Sequence, residues 1–411
     1  MRDYETTTLP NGIRVVHKEV TNTKIVHCGF VLDIGSRDEQ DHQQGLAHFW
    51  EHMAFKGTQK RKAFHIINRL ESVGGELNAY TTKEKICFYA SVLDAHFEKA
   101  LELLTDITFA SIFPEKQIEK ERGVILEEMA MYQDTPEDAI QDEFDDVIFK
   151  GHSLGNNILG TAKSVQSFHK ADFRNFIHEN LNTEKIVLSI VGNISATAVK
   201  KIVDKYLSEI PHYNARVNRL LFKDYAPKNI VVERNLIQAQ CAIGKPAYAL
   251  NNPKRFPFFM LTNMLGGPGL TSRLNMTLRE KYGFVYAIDA NYSAYTDVGL
   301  FSIFFGTDQK YLNKGINLVL KEIKKLKEKP LGQIQLTRMK EQLLGQLAMA
   351  EENNMNLMLM MGKSMLDLGG IRSLEAVFNE IRSVNAKELQ DIAHEMFDES
   401  QFSYLTYISK N

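Results

Sequence analysis

Two histidines and a glutamate stand close together in the run Gly45-Leu46-Ala47-His48-Phe49-Trp50-Glu51-His52-Met53-Ala54-Phe55. His48 and His52 are related as i and i+4, so on a helix both imidazoles leave one face and can converge on a single ion. Glu51 sits at the edge of that face, where it can reach a water held by the ion as a general base without being a ligand. The remaining side chains are apolar nearly all round, which implies a buried helix. Burying two imidazoles and a carboxylate there is costly unless something compensates, and a divalent cation compensates all three. The plainer alternative is a pair of satisfied core histidines with Glu51 as their ion-pair partner. Chance disfavours it. With 12 histidines in 411 residues, H-x-x-E-H arises at random in roughly two such chains of a hundred.

Zinc needs a third protein ligand and leaves its fourth position to water. The best stretch for that ligand is Glu119-Lys120-Glu121-Arg122-Gly123-Val124-Ile125-Leu126-Glu127-Glu128-Met129. Glu121 and Glu128 lie two helical turns apart and share a face with Val124 and Ile125. A face that mixes apolar residues with carboxylates suits a buried metal, so Glu128 is read as the ligand. Glu121 is either a carboxylate behind the ligands, orienting a histidine or the water, or part of a solvated acidic face. Glu127 points about 100° away and is read as solvent-facing.

The elements that must position these residues are legible in outline. Asn11-Gly12 reads as a hairpin turn between Thr6–Leu9 and Ile13–His17, and a strand follows at Ile25–Ile34. After the histidine helix, helical spacing returns at His65–Val73 and breaks at Gly74-Gly75. Leu77–Val92 holds two strand-like runs, the second with Ile86, Phe88, Ala90 and Val92 on one face. Long helices are expected at Asp94–Ile112 and Pro114–Gln133, then a strand at Lys185–Val191 and a helix to about Leu207. The stretch from Ile210 to Asn229 carries Pro211, Pro227 and weak periodicity, which suits a linker. Beyond it the order repeats: a strand at Ile230–Cys241, helices at Pro257–Leu265 and Ser272–Lys281, strands at Val285–Ser293 and Gly299–Gly306, and helices at Lys310–Glu328 and from Gly332 into a Met-rich run. The expected division is 1–212, a linker at 213–229, and 230–411, two halves related by duplication. Gly266-Gly267-Pro268-Gly269 lacks the strand–GxxxxGK–helix context of a phosphate loop. Met355–Met361, at helical spacing, reads as core or subunit contact rather than as a promiscuous apolar surface.

Composition sets the outer bounds. At 44% hydrophobic and 24% charged residues, the chain is an ordinary globular one, and 411 residues suit two or three domains. Lys plus Arg is 49 against 51 for Asp plus Glu, a net charge of −2. That removes the electrostatic argument for nucleic acid or an anionic membrane surface. Cys28, Cys87 and Cys241 lie far apart with no CxxC pairing, as in a fold that needs no disulfides. No apolar signal region opens the chain and no run of 18 apolar residues occurs, so the expectation is a bacterial cytoplasmic protein, or a mature form already processed, without a membrane segment.

These residues resemble the M16 (pitrilysin-type) zinc metallopeptidases, in the short branch that contains the mitochondrial processing peptidase subunits. His48-Phe49-Trp50-Glu51-His52 followed by Glu128, with flanks Gly45-Leu46-Ala47, Phe55-Lys56-Gly57-Thr58 and Glu121–Glu128, carries the likeness, which extends over essentially the whole chain. The resemblance implies an α+β fold of two homologous domains, each a mostly antiparallel sheet packed with helices, forming a clam-shell chamber. It implies one Zn2+ per chain on His48, His52 and Glu128, with Glu51 as base and Glu121 in a catalytic supporting role. It also implies that Gly74–Thr82 forms an exposed sheet edge, where Asn78 and Ala79 pair with a peptide substrate as an added strand. In the second half, Arg279 and Tyr286 are similar to the family's Arg/Tyr pair. Arg279 would hold a substrate carbonyl and Tyr286 would donate to the oxyanion. Because the chain carries both the zinc set and the Arg/Tyr pair, a self-sufficient homodimer acting on short or unfolded peptides is expected. The alternative is a non-catalytic or partner-dependent assembly subunit that keeps the fold.

Overall fold

Strands rich in β-branched and aromatic residues alternate with amphipathic helices along the chain, and helices cover the sheets to close the cores. The computed structural model describes residues 4–216 and 218–410; Val217, within the expected linker, and Met1–Asp3 lie outside the described residues. The strands are β1 (Glu5–Thr8), β2 (Arg14–Glu19), β3 (Ile25–Leu32), β4 (Glu76–Thr81), β5 (Ile86–Leu93), β6 (Ile186–Gly192), β7 (Asn229–Arg234), β8 (Ala239–Ala247), β9 (Val285–Ala294), β10 (Gly299–Thr307) and β11 (Ser403–Ser409). The helices are α1 (Leu46–Ala54), α2 (Ala63–Glu71), α3 (Phe97–Phe109), α4 (Glu115–Asp134), α5 (Pro136–Ile148), α6 (Ala162–Ser167) and α7 (Lys170–Asn180). They continue with α8 (Ala196–Leu207), α9 (Arg255–Gly266), α10 (Leu312–Glu328), α11 (Gln333–Glu352), α12 (Asn354–Leu368), α13 (Leu374–Ser383) and α14 (Ala386–Met396). Asn275–Lys281 forms a separate π-helical segment.

The chain divides into two compact units. The first comprises Met1–Met129, Asn156–Arg219 and Ala348–Ser373, and the second Ala130–Gly155, Leu220–Leu347 and Leu374–Asn411. These units are not contiguous stretches of chain, since α12 belongs to the first and α5 to the second. In the first unit the strand order is β1-β2-β6-β3-β5-β4, so β4 is an edge. One face of that sheet carries α12, whose Leu357, Met358, Met361 and Met365 pack on Val16, Val31, Val187 and Val191. The Met-rich run is therefore core, where flexible thioethers fill an irregular gap. The other face carries α1 and α3, with Trp50, Phe49, Phe88 and Phe97 fully buried. In the second unit the order is β7-β11-β8-β10-β9, with β9 at an edge. There α5 packs on β8 and β11 through Ile140, Phe144 and Ile148.

Other differences have local causes. The expected strand Ile230–Cys241 is two strands, parted at residues 235–238, since β7 pairs in parallel with β11 and β8 pairs with β11 and β10. The helix expected to run from Gly332 through the methionines breaks at Asn353, whose side chain caps α12 by accepting from the Asn356 N–H. No element was expected between Gln133 and Lys185, where α5, α6 and α7 lie. Residues 208–228 carry no helix or strand among the described residues, yet the segment is anchored: Arg219 Nε donates to Asp38 Oδ1 at 2.7 Å and Nη1 to Asp33 Oδ1 at 2.9 Å.

Two helical glycines test the packing of α12. A Cβ at Gly362 would lie 2.7 Å from Val31 Cγ2 and 3.2 Å from Ser189 Cβ, whereas a Cβ at Gly345 in α11 meets nothing within 4 Å. Thermal and denaturant unfolding should show Gly362→Ala destabilised by about 1–3 kcal/mol through overpacking. Gly345→Ala should instead gain roughly 0.5–1 kcal/mol from helix propensity alone. Equal effects at the two positions would contradict the close approach of α12 to the sheet.

Candidate metal centre

The histidine helix α1 starts where only glycine fits. Gly45 has φ +92°, and a Cβ there would lie 2.4 Å from the Leu159 carbonyl oxygen. The first turn's free N–H groups are met by a carboxylate from outside the helix: Gly45 N donates to Glu39 Oε2 at 2.9 Å and Ala47 N to Glu39 Oε1 at 2.7 Å. Glu39 is fully buried, and burial pushes its carboxyl well up against the pull of those two amides. The far end is fixed by Thr58, a buried residue whose hydroxyl donates to Asp106 of α3 at 2.8 Å. Between these anchors Leu46, Ala47, Phe49, Trp50, Met53 and Ala54 are buried, as the apolar pattern requires, and hold the histidines in one rotational setting.

His48 Nε2 and His52 Nε2 both face Glu128 Oε2 of α4, at 3.9 and 3.6 Å. The two rings lie 4.6 Å apart between centroids. These separations are too long for good hydrogen bonds. They are close to the ~3.4 Å between neighbouring ligands of a tetrahedral ion with bonds of about 2.1 Å. The three side chains offer ligand atoms within 4.8 Å of one another, and no other such group of His, Cys, Asp and Glu occurs among the described residues. His48 Nδ1 is buried without a hydrogen-bond partner. Burial, reinforced by His52, pushes His48 down to about 3, so the ring is neutral and its lone pair is available. The donor set of two imidazoles and a carboxylate therefore fits zinc.

The supporting groups are equally defined. Glu121 is buried, not solvated: its Oε2 lies 3.5 Å from His52 Nδ1 and 2.8 Å from Lys56 Nζ. Burial opposes its ionisation, but His52 and Lys56 outweigh burial and hold the carboxyl below its ordinary range. Glu121 thus orients the His52 ring from behind, as carboxylates commonly do for metal-binding histidines. Glu127 is exposed and Ile125 buried as expected, while Val124 points outward. Glu51 is half-buried and accepts from the Thr81 hydroxyl at 2.6 Å. Burial raises the Glu51 carboxyl, Thr81 and His52 pull it back, and Glu128 pushes it up again.

Asn78, exposed, and Ala79, half-buried, lie on the edge strand β4, paired only with β5 through Tyr89 and Phe88. Arg279 and Tyr286 belong to the second unit. Arg279 sits on the π-helical segment with its guanidinium 5.6 Å from the Tyr286 ring, and Tyr286 is 83% exposed at the start of β9. Sequence reasoning missed Glu39, Lys56 and Thr81. Only the strand alternation that puts Ala79 and Thr81 on one face could have flagged Thr81.

Residues 14–162 match the insulinase (peptidase family M16) profile, and residues 167–343 match the peptidase M16 inactive domain. The chain is 32% identical over 392 residues to the uncharacterized zinc protease YmxG of Bacillus subtilis, covering 95% of each. It is 32% identical over 395 residues to an uncharacterized zinc protease of Rickettsia felis, covering 96% of this chain and 95% of the other. The chain belongs to peptidase family M16. A peptidase M16 inactive domain structure from Pseudomonas fluorescens matches with a TM-score of 0.91 at 17% identity, covering 100% of this chain and 98% of that one. A protease from Helicobacter pylori matches with a TM-score of 0.91 at 20% identity, covering 98% and 99%. Both show the expected fold, two α+β units of sheet and helices. The M16 insulinase profile contains the histidine helix and the inactive-domain profile contains Arg279 and Tyr286. No helix among the described residues is long and apolar enough to cross a membrane.

The low setting of His48 has a pH consequence. An unfolded histidine titrates near 6.5, about where ordinary imidazoles do, whereas folded His48 takes its proton only at about 3. The unfolded chain therefore binds that proton first. The contribution of His48 to stability is complete above about pH 6.5 and is lost as pH falls toward 3. Unfolding of metal-free protein between those limits should become less acid-sensitive in His48→Gln; an unchanged profile would refute the burial argument.

Proposed function

We propose that this M16 peptidase is a zinc-dependent endopeptidase, with one zinc per chain held by His48, His52 and Glu128. The observation that supports it is the convergence of both Nε2 atoms on Glu128 Oε2, with the Glu51 carboxylate one residue away on the same helix. Zinc, when bound, supplies Lewis acidity that makes water a nucleophile near neutral pH. Glu51 takes a proton from the attacking water and delivers it to the leaving amine nitrogen. Its half-buried setting, with the carboxyl raised by burial, brings it toward the pH at which a base both accepts and returns a proton. Glu121 keeps the His52 ring turned so that Nδ1 faces a carboxylate and Nε2 faces the ligand group. Tyr286 donates its Oη–H to the developing oxyanion and Arg279 holds a substrate carbonyl. Asn78 and Ala79 present edge-strand backbone to a peptide, which gives affinity with little sequence demand. The substrate class we assign is short or unfolded peptides, and the assembly is a homodimer, which light scattering would read directly. An intact set of four converging groups argues against a non-catalytic assembly subunit.

Metal analysis together with cleavage of a quenched-fluorescence peptide library tests this. One zinc per chain and cleavage abolished by o-phenanthroline are expected. Glu51→Gln should keep its zinc and lose turnover, while Glu128→Ala should lose the zinc itself. Zinc without cleavage by the wild-type chain would overturn the self-sufficient peptidase. Tyr286→Phe should lower kcat about 100-fold, the usual effect of losing one oxyanion donor, with zinc content unchanged; wild-type kcat in that variant would remove Tyr286 from the mechanism.

A further inference from the structure

The Glu51 carboxylate is held from the same strand on which a substrate peptide would lie. Thr81 is the last residue of β4, and its hydroxyl donates to Glu51 Oε2 at 2.6 Å, within the short range of a bond to a charged oxygen. No hydrogen bond reaches Oε1 from the described residues, which leaves that oxygen to carry the proton. Along β4 the pleat sends Ala79 and Thr81 to one face and Asn78 and Tyr80 to the other. Tyr80 is gripped there by α12, with Lys363 Nζ 4.9 Å from its ring. Just beyond Thr81 the turn into β5 is closed by Thr82 N donating to the Lys85 carbonyl at 2.7 Å, and Ser36 N donates to the Thr82 carbonyl at 3.2 Å. The strand is thus fixed at its C-terminal end and on its α12 face, while its outer edge pairs with nothing in its sheet.

We propose that Thr81 is a positioning residue that couples the orientation of the Glu51 carboxylate to occupancy of the β4 edge by a peptide strand. The inference rests on the reading of Glu51 as general base. A strand added along Asn78 and Ala79 satisfies the free backbone groups of β4 and stiffens it. The stiffened strand holds the Thr81 hydroxyl, and the hydroxyl holds Oε2. Peptides long enough to pair along β4 then gain in kcat as well as in affinity, which is how remote binding energy reaches a chemical step.

The experiment compares Thr81→Val, isosteric without the hydroxyl, with Thr81→Ser, which keeps it. Both are measured on a series of peptides extended residue by residue on one side of the scissile bond. For Thr81→Val we expect kcat lower by about 10–100-fold, the size typical of a lost supporting hydrogen bond at a metal site. KM and zinc content should stay at wild-type values, and the rise of kcat with peptide length should flatten. Thr81→Ser should restore both kcat and its length dependence. Wild-type kcat in Thr81→Val, or equal impairment of the Ser and Val variants, would overturn the proposal, as would a loss confined to KM. Glu51→Gln measured alongside separates the two readings. If that variant stays active, the base assignment fails and this inference with it; if it is inactive while Thr81→Val is not, only the coupling fails.

Discussion

Two imidazoles and a carboxylate project from α1, a nine-residue helix whose other side chains are almost all buried. Leaving such groups in an apolar interior without compensation costs several kcal/mol each by transfer estimates, about 2–7 for a neutral polar group and more for a charge. The surrounding structure answers that constraint group by group. Glu39 closes the helix start, Glu121 and Lys56 back His52, and Thr81 takes one oxygen of Glu51. What remains uncompensated is His48 Nδ1 and the inner face of His48, His52 and Glu128, where atoms gather at ligand spacing rather than bonding distance. Three separate segments, the Glu39 turn, the end of β4 and the middle of α4, are needed to build this one pocket, so the fold of the first unit is in large part a frame for α1.

The second unit repeats the frame without the site. In the first, β2 is parallel to β6, and β6, β3, β5 and β4 follow antiparallel to one another. In the second, β7 is parallel to β11, and β11, β8, β10 and β9 follow in the same antiparallel order. The helix α9 stands between β8 and β9 as α1 stands between β3 and β4. Glu128 is the fourteenth residue of the twenty-residue α4, counting from Glu115, and Gln346 is the fourteenth of the twenty-residue α11, counting from Gln333. Where the first unit sets Glu128 against two histidines, the second sets Gln346 against Asn263 of α9, whose amide donates to it at 3.1 Å. A neutral amide pair satisfies itself in a partly buried position and needs no ion. The duplicated element order was legible in the sequence; at the matching place the second unit has two amides where the first gathers imidazoles and a carboxylate at ligand spacing.

Legibility followed the range of the interactions involved. The histidine helix, the strand β4 and the long helix bearing Glu128 are visible because their signals are local: spacing, periodicity and glycine breaks; that β4 is an edge came only from the family resemblance. Glu39 and Lys56 carry no such signal. Each acts on α1 or its ligands from a position set by a loop, and an acid after Asp38 or a lysine before Gly57 looks like any surface charge. No element was expected at α5, and even the spacing of its Ile140, Phe144, Val147 and Ile148 says nothing of which sheet it covers. The same holds for α12, whose methionines read as core without naming Val31 and Val187 as their partners. Contiguity is a reasonable default for assigning helices to sheets, and α5 and α12 depart from it.

Charge gives the last constraint on what the pocket can hold. Glu51, Glu121 and Glu128 gather about the two imidazoles, with Lys56 beside Glu121, while burial holds His48 neutral. Burial raises the Glu51 carboxyl, and the neighbouring Glu128 adds to that rise. A cation placed among the ligands would relieve it and bring the Glu51 carboxyl down, toward the ionised form that a base requires. A cation on that face and the Glu51 carboxyl would thereby act on one another through one local charge balance, with Lys56 answering Glu121 separately.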